Sequence, residues 1–260
     1  IRCLMDSSIV PSEVIICIPK KFYHLIDKKI ESDVVQIIQT EVVGQVAQRA
    51  IGFNNAKHEY IIQLDDDVFL DHECIRQLLL TIVSNRKIAV GPKLYNLEDQ
   101  YHSPRIKTKK NSIFNNFLFW IINGNQGYKP GKISKNGIAM GIEDSEKDEE
   151  VEWLSGACIL HRNENIINFN FYPYKGKAYS EDIIHSILLR ERNVSLIRSG
   201  KACCKVNLSS GINLSSIFQE FYSVVRIGLH ISKNRISFFN YTIYQILTYV
   251  SKCRFIFKKI

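Results

Sequence analysis

Three consecutive aspartates, Asp65, Asp66 and Asp67, directly follow the apolar run Tyr60–Leu64. Carboxylates placed side by side repel one another unless a cation neutralises them, and a divalent metal bound by oxygen ligands does this well. The pattern therefore predicts a metal–phosphate site at the end of a strand. The alternative is that the aspartates only open the next helix, because Asp is a favoured N-cap and complements the helix dipole.

A second acidic pair, Glu181 and Asp182, begins an amphipathic helical pattern after Ser180. A carboxylate that is separate from a metal site can take a proton from a hydroxyl group, and the two together are the parts of a metal-assisted transfer to a hydroxyl. The pair could instead serve only the helix, with Ser180 as its cap and the acids in its first turn.

Small residues precede an apolar strand in the segment Trp153-Leu154-Ser155-Gly156-Ala157. Such residues let the backbone approach a ligand closely, although they would equally suit a plain entry into a strand. This segment is a candidate wall of the same site.

Apolar strand-like runs alternate with helical patterns in the first hundred residues. Strands are predicted at 13–19, 34–39, 60–64 and 87–90, and helices at 22–30, 42–55 and 72–83. This alternation predicts an α/β domain with a largely parallel sheet flanked by helices. Ligands collect beyond the carboxyl ends of the strands in such sheets, which is where the three aspartates fall.

The periodic pattern stops between residues 95 and 150, where glycines interrupt it. We expect a mobile flap or insertion there. The acidic run 143–152 that closes this segment is expected to be a solvated loop. A predicted strand follows the small-residue segment, and the tail after residue 212 shows helical spacing with basic and aromatic residues.

Four motifs in order resemble the nucleotide-sugar-dependent glycosyltransferases of the GT-A fold, specifically the inverting family 2. They are the helix Gly44–Gly52, the D-x-D segment Leu64–Asp67, the turn Trp153–Ala157 and the pair Glu181-Asp182. The resemblance covers roughly residues 10 to 200. It implies a Rossmann-like GT-A catalytic domain at 1–205 with its first strand missing. The helical spacing and the cations of the tail predict a basic amphipathic helical extension at 206–260.

The resemblance also implies roles for residues. Asp65 and Asp67 would bind the nucleotide ribose and Mg²⁺ or Mn²⁺, with Asp67 the direct metal ligand, and Asp182 would be the general base beside Glu181. Asp66, Arg49 and Gln48 would contribute to donor binding. The acceptor would lie against the turn formed by Trp153, Ser155, Gly156 and Ala157. For Arg49 the alternative is an exposed helix cation, and His185 either approaches the phosphate or packs.

Two departures from the family pattern affect the expected activity. The strand at 13–19 runs into Lys20 without the acidic residues that usually read the nucleotide. No Q-x-x-R-W motif follows Asp182, so we expect one sugar to be added per encounter rather than processive synthesis.

The net charge of +8 predicts an anionic partner. Basic residues concentrate at 105–110, at 129–135 and after residue 225, but no nucleic-acid-binding signature accompanies them. We therefore expect no nucleic acid, and instead a nucleotide-sugar donor and a glycan or lipid-linked acceptor of the cell envelope. The C-terminal helices would either bind an anionic membrane surface or pack on the catalytic domain. No apolar stretch is long enough to span a bilayer. The scattered cysteines are expected to be reduced thiols, which favours a cytoplasmic protein. We expect this protein to be peripheral on the inner face of the membrane.

Two other functions remain open from the sequence. A sugar nucleotidyltransferase uses a related α/β core with paired acids around a metal, and its Gly-rich loop would lie upstream. A catalytically inactive module that binds a membrane or a glycan would tolerate the loss of Asp67.

Overall fold

The computed structural model describes residues 1–98, 100–102, 113–172, 174, 177–207 and 214–257. For Lys28, 214–216 and 251–257 the backbone alone is described. The chain divides into two compact units, one formed by Ile1–His102 with Asp144–Asn207 and the other by Ser103–Glu143 with Leu208–Ile260. The predicted boundary at 205–206 lies close to one of these divisions, whereas residues 103–143 group with the C-terminal unit.

The first unit alternates strands and helices along the chain. Its helices are α1 (Arg2–Met5), α2 (Gln45–Asn55), α3 (Cys74–Ile82) and α5 (Glu181–Glu191). Its strands are β1 (Val14–Pro19), β2 (Val35–Thr40), β3 (Tyr60–Leu64), β4 (Val68–Leu70), β5 (Ile88–Asn96), β6 (Glu149–Val151), β7 (Cys158–Arg162) and β8 (Ser195–Val206). The predicted strands and the helices α2 and α3 are confirmed within a few residues, except that β5 runs on to Asn96.

The sheet is mixed, so the expectation that it would be largely parallel is wrong. The pairs β1–β2 and β5–β8 are parallel, whereas β7 runs antiparallel to both β3 and β5, and the short strands β4 and β6 run antiparallel to β8. The strand order is β3-β7-β5-β8-β4, and β1 with β2 forms a separate two-stranded sheet. β7 follows the long segment after β5 and enters the sheet from the opposite end, which sequence periodicity does not reveal.

The core of this unit lies between α3 and the sheet. Leu78 and Ile82 on one face of α3 are fully buried against β5, β7 and β8, where Val90 and Leu160 are also buried. This is the amphipathic spacing expected for α3. The segment 22–30, by contrast, forms only the 3-10 turns Lys20–Leu25 and Lys28–Ile30, and the first of these buries no residue.

The acidic segment Asp144–Glu149 belongs to the first unit and is largely exposed, as expected, but its carboxylates are also paired with groups of the neighbouring strands and helix. Lys93 of β5 pairs with Glu146 at 2.7 Å and with Asp144 at 3.5 Å, and Arg198 of β8 pairs with Glu149 at 2.9 Å. Asp148 accepts hydrogen bonds from the Gly200 amide and the Thr81 hydroxyl. The paired carboxylates of this segment therefore bind cations that lie about fifty residues away in the sequence.

The second unit is helical. It contains α4 (Ile113–Asn123), α6 (Leu214–Ile231) and α7 (Arg235–Phe257). α6 packs on α7, where the Tyr241 hydroxyl donates to Val224 O and the Tyr249 hydroxyl donates to Glu220 at 2.6 Å. The C-terminal helices match the predicted extension, whereas α4 lies within the stretch for which we expected no regular element. Its apolar residues are nearly continuous, so its sequence lacks the helical period.

Among the described residues, no helix is long and apolar enough to cross a membrane. The cysteines whose side chains are described are free thiols, and Cys74, Cys158 and Cys204 are buried. The basic stretch 105–110 and the last cations, from Lys252 onward, lie outside the described side chains.

Candidate active site

One guanidinium joins three segments of the first unit. Arg49 of α2 donates to Asp65 at the end of β3 at 2.5 Å and to Glu181 at the start of α5 at 2.6 Å. It also donates to the carbonyl oxygen of Gly156 at 3.1 Å. Only 14% of the Arg49 side chain is exposed, so the alternative of an exposed helix cation is wrong. Its role in phosphate binding stays a prediction.

The side chains of Glu181 and Arg49 pack so closely against Gly156 that no other residue fits at this position unless they move. A Cβ at this position would lie 2.2 Å from Glu181 Oε1 and 3.3 Å from Arg49 Nη1. Its carbonyl oxygen also accepts a hydrogen bond of 2.6 Å from Gln63. The small-residue segment identified in the sequence therefore lets the backbone approach Arg49 and Glu181, while the Trp153 side chain beside it is fully buried and Ser155 and Ala157 are half-buried.

Glu181 is a buried carboxylate whose charge is only partly met. Burial raises its pKa from the usual 4.5 to about 7, with a further increase from Asp182 and Asp65, against the lowering effect of Arg49. Its second oxygen, Oε2, is buried and has no hydrogen-bond partner among the described residues. Ser180 directly before it has a left-handed backbone with φ of 56°, a conformation that costs free energy in a residue other than glycine.

The three aspartates differ in environment. Asp65 is half-buried, and besides Arg49 it accepts hydrogen bonds of 3.1 and 3.3 Å from Gln45 of α2. Burial raises the pKa of Asp65, with Arg49 opposing this and Asp67 adding to it. Asp66 and Asp67 are exposed in the turn between β3 and β4. Asp65 is thus held by the protein, and the other two face solvent.

The donor set fits a hard divalent cation that shares its coordination with a ligand. The described residues contain no group of three or more His, Cys, Asp or Glu side chains placed to hold a metal by themselves. Mg²⁺ is usually bound by one or two carboxylates together with substrate phosphates and waters. The exposed Asp67 carboxylate next to the held Asp65 satisfies this requirement, whereas a metal cage made only of protein does not form.

Asp182 lies in the first turn of α5, half-buried beside Glu181. Its carbonyl oxygen accepts a hydrogen bond of 2.7 Å from Ser186, whose oxygen in turn accepts the Leu154 amide at 3.1 Å. The start of α5 is thereby fastened to the small-residue segment. Asp182 is less buried than Glu181, and no direct ion pair with Arg49 holds it.

Gln48 connects elements of the fold. Its amide nitrogen donates to the carbonyl oxygen of Cys17 in β1 at 2.9 Å, and its side-chain oxygen accepts the amide of Gly44 at 3.3 Å. Gly44 has φ of 148° as the N-cap of α2, a region that side chains rarely adopt. The geometry therefore makes Gln48 a support for the start of α2, and its predicted contact with the nucleotide stays a prediction.

A cavity of about 500 Å³ lies beside this cluster. It is lined by Gln45, by residues of the loop before α2, and by Tyr172, Tyr174 and Ala178 on the segment before α5. Gln45 binds Asp65, and Glu181 contributes to raising the pKa of Tyr172 to about 12, after the effect of burial. The cavity is therefore connected to Asp65 through Gln45 and to Glu181 through Tyr172, while its lining contains neither carboxylate. Sequence reasoning missed Gln45 and Tyr172, although Gln45 stands four residues before Arg49 on the same helix.

The histidines beside the cluster are packing residues. His185 is buried, stacks on Phe171 at a ring distance of 5.5 Å, and lies 5.4 Å from the ring of His161. Burial lowers the pKa of His185 well below its usual value and that of His161 to about 3. Both rings are therefore neutral, and the packing alternative holds for His185.

The family model described as glycosyl transferase family 2 matches residues 20–148. A comparison with curated protein sequences finds no match. Among solved structures, a crystal structure of GalNAc-T7 with UDP, GalNAc and Mn²⁺ is similar with a TM-score of 0.56 at 12% identity, over 86% of this chain and 47% of that one. A crystal structure of S. aureus TarS 1-349 in complex with UDP-GlcNAc is similar with a TM-score of 0.50 at 11% identity, over 91% and 63%. This chain thus spans less than two thirds of the length of either protein.

Proposed function

We propose that this chain, which has the GT-A fold and matches the model of glycosyl transferase family 2 over residues 20–148, transfers a sugar from a nucleotide-diphosphate donor to a hydroxyl group of an acceptor. The observation that carries the proposal is the Arg49 cluster. Arg49 holds Asp65, from the aspartate triplet, next to Glu181, from the second acidic pair. Two carboxylate sites that lie far apart in the sequence therefore meet beside one cavity.

The division of roles follows from burial. Glu181 is tied to Arg49, so we assign it to positioning the start of α5. Asp182 is half-buried and adjacent, and we assign it as the general base that takes the acceptor's proton. A base that acts during transfer must reach the substrate hydroxyl, directly or through one water. The deprotonated hydroxyl attacks the anomeric carbon on the face opposite the leaving nucleotide, and this attack inverts the configuration there.

Asp67 would hold Mg²⁺ or Mn²⁺, with Asp65 beside it. The ion would supply charge neutralisation for the departing diphosphate. Two observations support this assignment: Asp67 is exposed, and the cluster holds more carboxylates than cations. One of the two similar crystal structures contains UDP and the other UDP-GlcNAc, so a uridine diphosphate sugar is the first donor class to test.

The cavity beside Gln45 and Tyr172 is our candidate for the substrate-binding site. Its volume lies within the range of roughly 300–1,000 Å³ that is typical of small-molecule sites. We assign the donor side to Asp66, Arg49 and Gln48. We assign the acceptor side to Trp153, Ser155, Gly156 and Ala157. We propose a glycan or lipid-linked acceptor of the cell envelope, and non-processive transfer at the cytoplasmic surface of a membrane.

The proposal is tested by ligand-dependent thermal stabilisation. A ligand that binds only the native state raises the melting temperature in proportion to its affinity and concentration. We expect one nucleoside diphosphate or nucleotide sugar of a panel to raise it in the presence of Mn²⁺, and Asp67→Ala to abolish the metal-dependent part. Equal metal-dependent stabilisation of the wild type and Asp67→Ala would contradict the assignment of Asp67 as the metal ligand.

The reaction products distinguish the remaining alternatives. A transferase releases a nucleoside diphosphate from the sugar nucleotide, whereas a sugar nucleotidyltransferase releases pyrophosphate from a nucleoside triphosphate. An inactive binding module releases neither. Detection of pyrophosphate with sugar phosphate and nucleoside triphosphate as substrates would contradict the proposal.

A further inference from the structure

The two units of the chain differ strongly in charge. The unit formed by 103–143 and 208–260 contains 14 Lys and Arg residues against 2 Asp and Glu, a formal charge of +12. The other unit contains 20 against 24, a formal charge of −4, and the two values add to the net +8 of the chain. The basic character of this protein therefore belongs to its helical unit alone.

Helix α4 of this unit is apolar on both sides. Its inner side buries Leu118, Phe119 and Ile122. Its outer side exposes Ile113 (88%), Phe114, Phe117 and Trp120 (57%), and the rings of Phe117 and Trp120 stack. A helix on the surface of a globular protein normally carries charged or polar residues on its outer side.

Helix α7 repeats this arrangement. Its inner side buries Tyr241, Tyr244 and Tyr249. Its outer side exposes Ile236 (75%), Phe239, Ile246 and Val250, which recur at the spacing of one helical face. Lys233 and Arg235, both exposed, stand at the start of this helix.

The outer sides of the two helices adjoin. Trp120 of α4, Asn240 of α7 and Lys135 line one cavity, and Asn240 follows the exposed Ile236 by one helical turn. The Ser237 hydroxyl donates to the carbonyl oxygen of Lys135 at 3.3 Å. We name the exposed residues of both helices the outer apolar face: Ile113, Phe114, Phe117, Trp120, Ile236, Phe239, Ile246 and Val250.

We propose that the outer apolar face binds the surface of an anionic lipid bilayer, with its aromatic and aliphatic side chains in the headgroup region and the surrounding cations against lipid phosphates. Binding of this kind combines buried apolar area with attraction between basic residues and anionic lipids. The unit supplies both, since the outer apolar face is exposed and the exposed cations Lys135, Lys233 and Arg235 lie at the cavity between the two helices or at the start of α7. This inference does not rest on the sugar-transfer proposal.

Two other occupants fit less well. A nucleic acid would use the cations but has no need of exposed isoleucine, valine and phenylalanine, because its recognition rests on phosphate contacts and base stacking. A second copy of the chain would bury the apolar side chains but would bring two units of charge +12 together. A bilayer with anionic headgroups satisfies the apolar and the basic groups together.

The two tryptophans make a direct measurement available. Trp120 is exposed on the outer apolar face, whereas Trp153 of the other unit is fully buried. We expect vesicles of equal parts phosphatidylglycerol and phosphatidylcholine to shift the emission of Trp120 to shorter wavelength, and lipids brominated on their acyl chains to quench it. Vesicles of phosphatidylcholine alone should produce a much weaker response, and added salt should weaken the response to anionic vesicles.

Variants separate the apolar and electrostatic parts in a flotation assay with the full chain. Phe117→Ser with Trp120→Ser should lower the affinity for anionic vesicles by roughly tenfold or more, through the loss of inserted side chains. Lys233→Gln with Arg235→Gln should lower it by roughly thirtyfold, since each of the two cations near the surface contributes about 1 kcal/mol. Leu80→Ser is the matched control, because Leu80 is 61% exposed on α3 of the other unit and should leave binding unchanged.

Three results would overturn the proposal. The first is absence of flotation and of quenching with anionic vesicles. The second is binding of duplex DNA at affinities that vesicles do not reach, with Trp120 emission unchanged by lipid. The third is a dimer in sedimentation that forms without lipid and is disrupted by Phe117→Ser with Trp120→Ser, which would assign the outer apolar face to a second copy. Unchanged melting temperatures of the variants show that their effects are not due to misfolding.

Discussion

The first unit contains two clusters of paired charges that differ in which partner is buried. At the acidic segment 144–149, Lys93 and Arg198 are buried and their acidic partners lie toward solvent. At Arg49 the carboxylate of Glu181 is buried and that of Asp65 half-buried, one cation serves both, and Glu181 Oε2 has no partner among the described residues. Carboxylates outnumber cations in both clusters, but only the second cluster buries a carboxylate.

The difference separates a structural cluster from a functional one. The surplus carboxylate of the acidic segment lies toward solvent and needs no further partner, so Asp144–Glu149 serves to satisfy the buried cations of the inner strands β5 and β8. An excess of carboxylates beside a cavity is stable only if protons or an added cation compensate it. We therefore expect changes at the Arg49 cluster to alter chemistry and pH dependence, and changes at the acidic segment to alter stability.

The largest effect is expected for Asp182→Asn. An amide cannot accept the acceptor's proton, so turnover should fall by roughly 10²–10⁴-fold, the usual contribution of a general base. The side chain is similar in size and half-buried, so metal-dependent donor binding and the melting temperature should change little. Steady-state kinetics alongside nucleotide-induced thermal shifts test this. Turnover that survives would assign the base to another residue.

Glu146→Gln combined with Asp144→Asn tests the structural cluster. It leaves the buried Lys93 ammonium without either carboxylate, and a buried charge that loses its partners destabilises the native state. We therefore expect a lower free energy of unfolding, measured by urea denaturation, although the exposure of both acids limits the effect. Glu150→Gln on the exposed side of β6 is the control. Donor affinity that falls while the free energy of unfolding is unchanged would contradict a purely structural role.

The pH dependence of stability tests the functional cluster. Glu181 has a folded-state pKa of about 7 against 4.5, so its protonated form stabilises the native state below pH 4.5. That contribution is lost as the pH rises towards 7, and by linkage it amounts to about 3 kcal/mol. Glu181→Gln should flatten this part of the profile of unfolding free energy against pH. An unchanged profile would show that the carboxylate is ionised throughout.

Much of the local structure could be predicted from the sequence, because local patterns determine it. Tyr60–Leu64 is a strand with the predicted bounds, and the acidic pair Glu181-Asp182 begins a helix as predicted. The partners of Arg49 could not be predicted, since Glu181 lies 132 residues away and no periodicity links the two. The ion pairs of the acidic segment 144–149 could not be predicted for the same reason, because Lys93 and Arg198 lie about fifty residues away in the sequence. The direction of β7 likewise depends on the path of the chain between elements.

The smallest effect is expected for Gly156→Ala. The added methyl group would meet Glu181 Oε1 at 2.2 Å, so the carboxylate must move away from Arg49, at a cost of about 1–3 kcal/mol. We also expect the free energy of unfolding to change less steeply with pH, because Glu181 would move towards solvent and its pKa would be raised less. Gly52→Ala is the matched control, since its Cβ would contact only Cys17 Sγ at 3.4 Å and alanine favours the helix by up to about 1 kcal/mol. Equal stability of the two variants would show that the site is less closely packed than the distances indicate.

The separation of the β-structure into two sheets has a practical consequence. Within the described residues, β1 pairs only with β2, and β3 is the outermost strand of the larger sheet. Both strands carry almost uninterrupted isoleucine-rich sequences, and their apolar residues are only half-buried. Unpaired strand edges of this kind are templates for intermolecular pairing and aggregation. We therefore expect concentrated solutions of this polypeptide to be prone to β-rich self-association, which moderate concentrations and short storage would limit.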